Sequence, residues 1–362
     1  MENIASDVVI DQAYEWLCRR REDYSDSNDV WNLRFDWDRI KPQIQADLLA
    51  GTYILGPVEL IRGEEGTVEL WSSTDALVLK AAAIVMNDDL KPVISEDCYH
   101  IAGNGGTKGA VCSVAENLEG NSFVFRTDVK SFYASIDHCI LFWQLQGLIS
   151  DGRVLDLLWE SFHRTVYDGG FYRDVNRGIP LGSPVSPLLG ALFLKPLDDL
   201  MSECGLFYAR FMDDWVILAP TRWRLRGAVR LVNEILDVLK LDKHPDKTFI
   251  GRISRGFDFL GYQFSSCGLV GVAVKTVERF AERVSRLYEQ GADSERIGEY
   301  ARRWVRWVRS GIEGYMNWGG MGGMWSHPDL INEGLFSGQD VTTNICLFLY
   351  LSFWHVKDNT TP

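Results

Sequence analysis

Residues 206–218 read Leu-Phe-Tyr-Ala-Arg-Phe-Met-Asp-Asp-Trp-Val-Ile-Leu. Two apolar runs flank Met212-Asp213-Asp214, a pattern that predicts a buried hairpin with an acidic tip. Adjacent carboxylates among apolar residues are unfavourable unless a cation neutralises them. A divalent metal ion is the simplest such cation, so Asp213 and Asp214 are predicted metal ligands.

A third carboxylate extends this pattern. Asp128 lies at the end of another apolar run, Phe123-Val124-Phe125. Carboxylates on the ends of neighbouring strands suit two-metal nucleotidyl transfer, in which ions about 3.5–4 Å apart clamp the attacking and leaving oxygens. The sequence therefore predicts a polymerase. An acidic surface turn is the alternative for Asp213-Asp214, and the flanking apolar strands argue against it.

The composition narrows the class of protein further. The chain has 362 residues, of which 46% are hydrophobic, enough for two or three domains. A net charge of −13 argues against indiscriminate nucleic-acid binding but allows one basic groove. The absence of a long apolar run predicts no membrane span. Seven cysteines without CxxC spacing, and no visible signal peptide, predict a cytoplasmic protein with reduced thiols.

A glycine-rich segment, residues 104–109 (Asn-Gly-Gly-Thr-Lys-Gly), is predicted to form a loop. Its backbone N–H groups would approach an anion, and Lys108 would add positive charge. The segment lacks the GxxxxGK[ST] spacing of a P-loop, so a plain surface turn remains the alternative.

Several further patterns predict regular elements. One helix is expected over residues 187–200, and a basic amphipathic helix over 222–240. Residues 247–250 and 257–264 are expected to pair as strands. Beyond about residue 275 the chain is predicted to be helical.

Two features of this C-terminal region leave alternatives open. Arginines 302, 306 and 309 recur beside two tryptophans, which predicts either a nucleic-acid groove or a solvated face over a tryptophan core. Met316–Met324 is a predicted linker, and apolar Ile345–Trp354 is predicted to dock on the core or on another subunit.

Five blocks, in order over about residues 95–265, resemble those of reverse transcriptases of the group II intron and retron lineage. The third block, Phe211-Met212-Asp213-Asp214, corresponds to the common Tyr-x-Asp-Asp. The others are 127–138 (Thr-Asp-Val-Lys-Ser-Phe-Tyr-Ala-Ser-Ile-Asp-His), 177–189 (Arg-Gly-Ile-Pro-Leu-Gly-Ser-Pro-Val-Ser-Pro-Leu-Leu), 243–248 (Lys-His-Pro-Asp-Lys-Thr) and 259–262 (Phe-Leu-Gly-Tyr).

The resemblance implies a role for each residue of the metal site. Asp128, Asp213 and Asp214 would hold two Mg²⁺ ions, with the backbone carbonyl of Val129 as a further ligand. Lys247 would lie near the leaving pyrophosphate as charge stabiliser or proton donor. An ordinary surface lysine is the alternative reading of Lys247.

The resemblance also implies substrate contacts. Tyr133 would exclude a ribose 2′-OH by steric clash, and a packed core tyrosine is the equal alternative. Lys108 would meet the triphosphate. Residues of the second block would contact template and nucleotide, and residues of the fifth would hold the primer end: Gly182, Ser183 and Ser186, and Phe259, Leu260 and Gly261.

Leu181 departs from the family pattern. Many relatives carry Gln at this position, beside the nascent base pair. Reverse transcriptases of diversity-generating retroelements also have an aliphatic residue there, which goes with low fidelity. Those enzymes usually carry Ser-Gln where this chain has Ser186-Pro187. Fidelity and template use therefore stay open.

The resemblance implies an α+β right-hand polymerase fold. We expect N-terminal helices and fingers over 1–120, an antiparallel-sheet palm over 121–268, and a short α-helical thumb with a C-terminal extension over 269–362. Only 100 residues follow Tyr262, which leaves no room for a full maturase region plus endonuclease. A stand-alone enzyme is expected rather than a mobile group II intron protein.

The expected function is RNA-directed DNA synthesis from dNTPs, primed by a nucleic-acid 3′-OH or a protein hydroxyl. Expected partners are an RNA template, a DNA primer or product, and a second copy or another protein, but no membrane. Antiphage defence with a dedicated non-coding RNA is the favoured role. The alternatives are an error-prone retroelement-type enzyme, a non-catalytic RNA-binding scaffold and an RNA-synthesising palm enzyme.

Overall fold

The computed structural model describes residues 1–63 and 66–312, so the predicted linker Met316–Met324 and the apolar segment Ile345–Trp354 lie outside the described residues. The helices are α1 (Asp7–Arg20), α2 (Asp29–Phe35), α3 (Trp37–Ala50), α4 (Ser73–Leu90), α5 (Gly106–Glu116), α6 (Phe132–Ser135), α7 (His138–Gln146), α8 (Gly152–Phe162), α9 (Ser186–Phe193), α10 (Lys195–Cys204), α11 (Arg222–Val238), α12 (Val274–Glu289) and α13 (Ser294–Ile312). The strands are β1 (Val58–Gly63), β2 (Gly66–Leu70), β3 (Phe123–Thr127), β4 (Thr165–Asp168), β5 (Phe171–Asp174), β6 (Phe207–Phe211), β7 (Asp214–Ala219), β8 (Phe249–Arg252), β9 (Phe257–Phe259), β10 (Tyr262–Ser265) and β11 (Gly268–Val272).

The chain divides into two compact units. The first comprises Met1–Gly106 and Phe125–Ile250, and the second comprises Thr107–Val124 and, among the described residues, 251–312. The division into fingers, palm and thumb at residues 120 and 268 stays a prediction.

The predicted acidic hairpin forms the edge of a four-stranded sheet of order β6-β7-β3-β8. β6 and β7 are antiparallel, with Phe207 opposite Leu218 and Phe211 opposite Asp214. β7 is buried along almost its whole length, because α11 packs against it through an apolar face. That face comprises Leu225, Ala228, Val232 and Leu236.

A second sheet of the first unit has the order β2-β1-β4-β5. β1 and β2 form an antiparallel hairpin, and β1 also pairs in parallel with β4, where Val58 lies opposite Val166. Helix α1 packs on α4 through Ala13 and Leu17, which are buried. Ser72 caps α4 by accepting a hydrogen bond from the Asp75 N–H at 3.0 Å.

The second unit contains a sheet of order β11-β10-β9 and the helix pair α12–α13. Phe280 stacks on Trp304 with ring centroids 4.3 Å apart, inside a buried apolar cluster. Trp307 lies against Tyr262, whereas Arg302 and Arg306 are exposed. The tryptophans thus pack within the second unit, and the exposed arginines fit both predicted alternatives, a solvated face and a nucleic-acid groove.

Three local predictions are wrong. Lys108 lies in the first turn of α5 and not on a loop. The helix expected over 187–200 is split into α9 and α10 at Leu194, because Pro196 has no N–H to continue the first helix. Residues 247–250 and 257–264 do not pair: β8 joins the sheet with β3, whereas β9 and β10 pair with each other.

Candidate active site

The turn between β6 and β7 consists of Met212 and Asp213, and it presents Asp213 and Asp214 at one end of the sheet. Met212 has a φ of 58°, in the left-handed region that favours glycine. A non-glycine residue keeps this conformation only where its surroundings hold it. The surrounding structure therefore stabilises the backbone conformation of this turn.

Asp128 directly follows β3, the strand beside β7, as the sequence predicts for a three-carboxylate site. Its backbone carbonyl accepts a hydrogen bond from the His244 N–H at 2.9 Å, and the Lys130 N–H bonds the Asp242 carbonyl at 2.8 Å. These two bonds flank an antiparallel bridge between Val129 and Lys243.

The bridge decides where the Val129 carbonyl points. In such a non-hydrogen-bonded antiparallel pair, the N–H and C=O of the central residue point away from the partner strand. The partner segment lies on the β8 side of β3, so the Val129 carbonyl points toward the β7 side. This orientation supports the prediction that it serves as a ligand.

The acidic side chains are electrostatically coupled. Burial, together with the charges of Asp128 and Asp213, raises the pKa of Asp214 to about 6, although Arg126 acts in the opposite direction. Burial also raises the pKa of Asp213, and Asp128 again adds to the increase. Asp128 is therefore close enough for its charge to oppose ionisation of Asp213 and Asp214, and the site as a whole is stabilised by positive charge.

Two basic side chains supply part of that charge. Lys247 donates a short hydrogen bond to Oδ2 of Asp128. Nη2 of Arg126 lies 3.4 Å from Oδ2 of Asp214. The second oxygen of each of these two carboxylates, Oδ1 of Asp128 and Oδ1 of Asp214, is buried. Neither has a hydrogen-bond partner among the residues that the structure describes.

These residues fit a divalent cation with hard oxygen ligands, such as Mg²⁺. Each orphaned oxygen is a ready acceptor that a cation would satisfy. In the described ranges, 1–63 and 66–312, no three acidic, histidine or cysteine side chains yet stand close enough to enclose an ion.

Tyr133 lies beside the acidic turn. Its hydroxyl donates to Sδ of Met212 at 3.6 Å. Burial raises the pKa of Tyr133 to about 12, with a further contribution from the charge of Asp213. The ring is only partly buried, which suits the predicted steric role better than that of a packed core tyrosine.

The first and second sequence blocks are joined through their backbones. The Ile179 N–H bonds the Tyr133 carbonyl at 2.8 Å, and the Gly178 N–H bonds the Ile136 carbonyl at 2.8 Å. Gly178 has a φ of 89°, and a Cβ there would lie 2.8 Å from Cα of Ala134. Glycine is therefore required where the two blocks touch.

The predicted contacts of the second block fall into two groups. Leu181 is 51% exposed, and Gly182 beside it has a φ of 97°. Ser183 and Ser186 are buried, and the Ser186 hydroxyl donates to the Pro180 carbonyl at 2.6 Å. Leu181 and Gly182 are thus open to a ligand, whereas Ser186 shapes the turn.

The remaining predicted contacts belong to the second unit. Lys108 lies near the start of α5. Phe259 ends β9, and Leu260 and Gly261 form a turn with φ values of 49° and 85°. Their proposed roles at the triphosphate and the primer end stay predictions.

Sequence reasoning missed three residues around the acidic turn. Arg126 precedes Asp128 by two positions, and this period-two spacing could have placed both on one face. Arg210 donates to the Met212 carbonyl at 2.8 Å and pairs with buried Asp198. His100 accepts a hydrogen bond from the Met212 N–H at 3.0 Å, and no local pattern indicates it.

The raised pKa of Asp214 predicts a pH-dependent stability. Its ordinary value is 3.8 and its value in the fold is about 6, so the folded protein binds this proton more tightly than the unfolded chain. The resulting stability is present at low pH and is lost as pH rises through about 6.

Asp214→Asn lacks this dependence. In metal-free protein, the stability of Asp214→Asn relative to wild type should therefore increase by about 2 kcal/mol between about pH 4.5 and pH 8. Urea unfolding in chelator measures this, with exposed Asp199→Asn as control. A difference that is constant across the range would contradict the raised pKa.

Lys247 holds one oxygen of Asp128, so it would compete with a metal ion for that carboxylate. Lys247→Met should therefore bind Mn²⁺ about 10-fold more tightly in the absence of nucleotide. It should also slow DNA synthesis if the lysine assists the leaving group. Titration followed by electron paramagnetic resonance measures the first effect. Lys240→Met is the control, because it removes another Lys–Asp pair, and it should change neither Mn²⁺ affinity nor the rate of synthesis. Weaker Mn²⁺ binding by Lys247→Met would refute the competition.

A sheet that presents an Asp-Asp turn beside a third aspartate, with helices packed on it, defines a polymerase of the palm class. The sequence profile of the family described as reverse transcriptase (RNA-dependent DNA polymerase) matches residues 73–264. The chain belongs to this family. The predicted α+β right-hand polymerase fold and the predicted lineage are thereby confirmed.

Individual relatives support the same assignment. Protein YkfC of Escherichia coli (strain K12) is 26% identical over 176 residues, which cover 39% of this chain and 46% of that protein. The group II intron-encoded protein LtrA of Lactococcus lactis subsp. cremoris is 22% identical over 182 residues, which cover 49% of this chain and 30% of that protein. The chain thus spans less than half the length of either relative.

Among solved structures, one similar chain comes from a partial Cas6-RT-Cas1–Cas2 complex. It is 21% identical, has a TM-score of 0.40, and the match covers 66% of this chain and 42% of that chain.

None of the helices in the described part of this chain combines the length and apolar character needed to cross a bilayer.

Proposed function

We propose that the protein is an active RNA-directed DNA polymerase that makes DNA from dNTPs on an RNA template. The observation that carries the proposal is the placement of Asp128 beside the Asp213-Asp214 turn, with two orphaned carboxylate oxygens. A non-catalytic RNA-binding scaffold would gain nothing from keeping these mutually repelling carboxylates.

The described residues divide the work of synthesis. Asp128, Asp213 and Asp214, with the Val129 carbonyl, would hold two Mg²⁺ ions. Bound there, the ions would supply Lewis-acid activation of the attacking hydroxyl and neutralise charge on the leaving pyrophosphate. Lys247 donates a hydrogen bond to Asp128, one of these carboxylates, and would stabilise or protonate the leaving group.

A primer-extension assay tests the proposal. Purified protein is given an RNA or DNA template with an annealed primer, Mg²⁺, and either dNTPs or NTPs. We expect extension with dNTPs on RNA. Extension only with NTPs would indicate an RNA-synthesising palm enzyme. No extension with any template, primer or protein-primed reaction, while RNA binding persists, would indicate a scaffold.

Leu181 favours a specific refinement, namely low-fidelity synthesis. Its exposed aliphatic side chain stands where many relatives have Gln, and it cannot hydrogen-bond a nucleotide. Sequencing of extension products should show a misincorporation rate that falls in Leu181→Gln. An unchanged rate would remove the support for a diversity-generating type of enzyme.

We further propose a cytoplasmic role in antiphage defence with a dedicated non-coding RNA. The net charge of −13 supports a selective RNA partner over indiscriminate binding. Sequencing the nucleic acid that co-purifies with the protein tests this. One dominant RNA is expected, and a sample of bulk cellular RNA would contradict it. Size measurement of the same sample reports whether a second copy or a partner protein is bound.

A further inference from the structure

His100 precedes all five sequence blocks in the chain, but it contacts two of them, the second at Pro187 and the third at Met212. The segment before it runs along the outer edge of β6: the Arg210 N–H bonds the Asp97 carbonyl at 2.9 Å, and the Tyr99 N–H bonds the Arg210 carbonyl at 2.8 Å. This parallel pairing fixes the backbone on which the imidazole is carried. The position of His100 relative to the acidic turn is therefore set by the sheet.

The hydrogen bonds of His100 define its tautomer. Nδ1 lies 3.0 Å from the Met212 backbone nitrogen, whose N–H can only donate, so Nδ1 is an acceptor. The Cys98 sulfur also lies 3.4 Å from Nδ1, where its thiol can only donate. Nε2 lies 3.1 Å from the Pro187 carbonyl, which can only accept, so Nε2 carries the proton. Burial lowers the pKa of His100 to about 4, and the charge of Arg210 contributes, so the neutral ring is the working form.

The backbone N–H and the carbonyl of Met212 are each held by a side chain, the partly buried His100 and the fully buried Arg210. His100 accepts from its N–H, and Arg210 donates to its carbonyl at 2.8 Å. Arg210 is fully buried and is itself fixed by Asp198, whose Oδ1 lies 2.7 Å from the Arg210 Nε. These bonds account for the left-handed φ of Met212, the residue just before Asp213.

We propose that His100 is a positioning residue for DNA synthesis, because it ties the Met212 N–H of the acidic turn to the Pro187 carbonyl at the start of α9. The inference rests on the proposed polymerase function. Through Met212, His100 fixes where Asp213 stands for metal binding. Through Pro187, it keeps that turn in register with the second block, which carries Leu181 and Gly182.

Three substitutions separate the two bonds. His100→Asn places an amide oxygen near the Nδ1 position and keeps only the bond to Met212. His100→Gln reaches the Nε2 position and keeps only the bond to Pro187. His100→Phe retains a ring and loses both bonds, together with the weaker contact to the Cys98 thiol. Tyr53→Phe is the stability control, because it removes a 2.8 Å hydrogen bond to Asp75 far along the chain from the turn.

The first measurement is Mn²⁺ binding to nucleotide-free protein, followed by electron paramagnetic resonance. The second is kcat and KM for dNTP incorporation, and the third is thermal unfolding. We expect His100→Gln and His100→Phe to lose about 10–100-fold in Mn²⁺ affinity and in kcat, with KM changed by less than about 3-fold. His100→Asn should lie between them and wild type. Tyr53→Phe should lower stability without weakening Mn²⁺ binding.

The inference fails if His100→Gln binds Mn²⁺ within about 3-fold of wild type, or if the losses merely follow thermal stability across all four variants. It also fails if His100→Asn is impaired as severely as His100→Phe. Mn²⁺ binding can be measured without DNA synthesis. An inactive wild type would therefore refute the proposed function, whereas the order of Mn²⁺ affinities among the variants would still decide whether His100 positions the acidic turn.

Discussion

Asp213→Asn should abolish DNA synthesis while leaving the protein folded. The substitution keeps the shape of the side chain but removes the charge that a metal ligand needs. Metal-assisted stabilisation is worth several kcal/mol, so incorporation should fall by about 10³-fold or more. Single-nucleotide incorporation under pre-steady-state conditions measures the loss.

Folding should not suffer, because burial already raises the pKa of Asp213 and the neutral form is tolerated in that place. Circular dichroism and thermal unfolding provide the check. Asp199→Asn is the matched control: Asp199 is 56% exposed, pairs with Lys195, and lies away from the turn. Synthesis by Asp213→Asn at the rate of that control would refute the metal assignment.

Tyr133→Ala should admit ribonucleotides. The tyrosine ring lies beside the turn that carries Asp213, where its bulk would meet a 2′-OH. Removing the ring should lower the preference for dNTPs over NTPs by about 100-fold, through a higher kcat/KM for the ribonucleotide. Parallel incorporation of dCTP and CTP opposite a template guanine gives the ratio.

Tyr133→Phe separates bulk from hydrogen bonding. It keeps the ring and loses only the contact between the hydroxyl and the Met212 sulfur, so its sugar discrimination should match wild type. If Tyr133→Ala also discriminates like wild type, the steric role is wrong and the ring serves packing alone.

Much of the palm could be predicted because its determinants are local in sequence. The hairpin around Asp213-Asp214 follows from two apolar runs and an acidic tip, and Asp128 follows a third apolar run. The α+β class followed from five ordered blocks. Gly178 stands in one of them, and the structure shows that it lets two blocks touch.

The rest depends on contacts between residues far apart in the chain. His100 and Met212 are separated by 112 positions, and Lys247 and Asp128 by 119. No periodicity reports such a pairing. Helix propensity also failed at Leu194, where one proline two residues later divides an otherwise continuous apolar pattern.

We expect Asp128 and the Asp213-Asp214 turn to share two metal ions. A crystal structure with Mn²⁺, primer–template and a non-reactive dNTP analogue tests it most directly, through anomalous scattering. We predict two peaks about 4 Å apart, both bonded to these carboxylates, with Lys247 displaced from Asp128. Absence of peaks at the carboxylates, with the Lys247–Asp128 pair intact and nucleotide bound, would contradict the account.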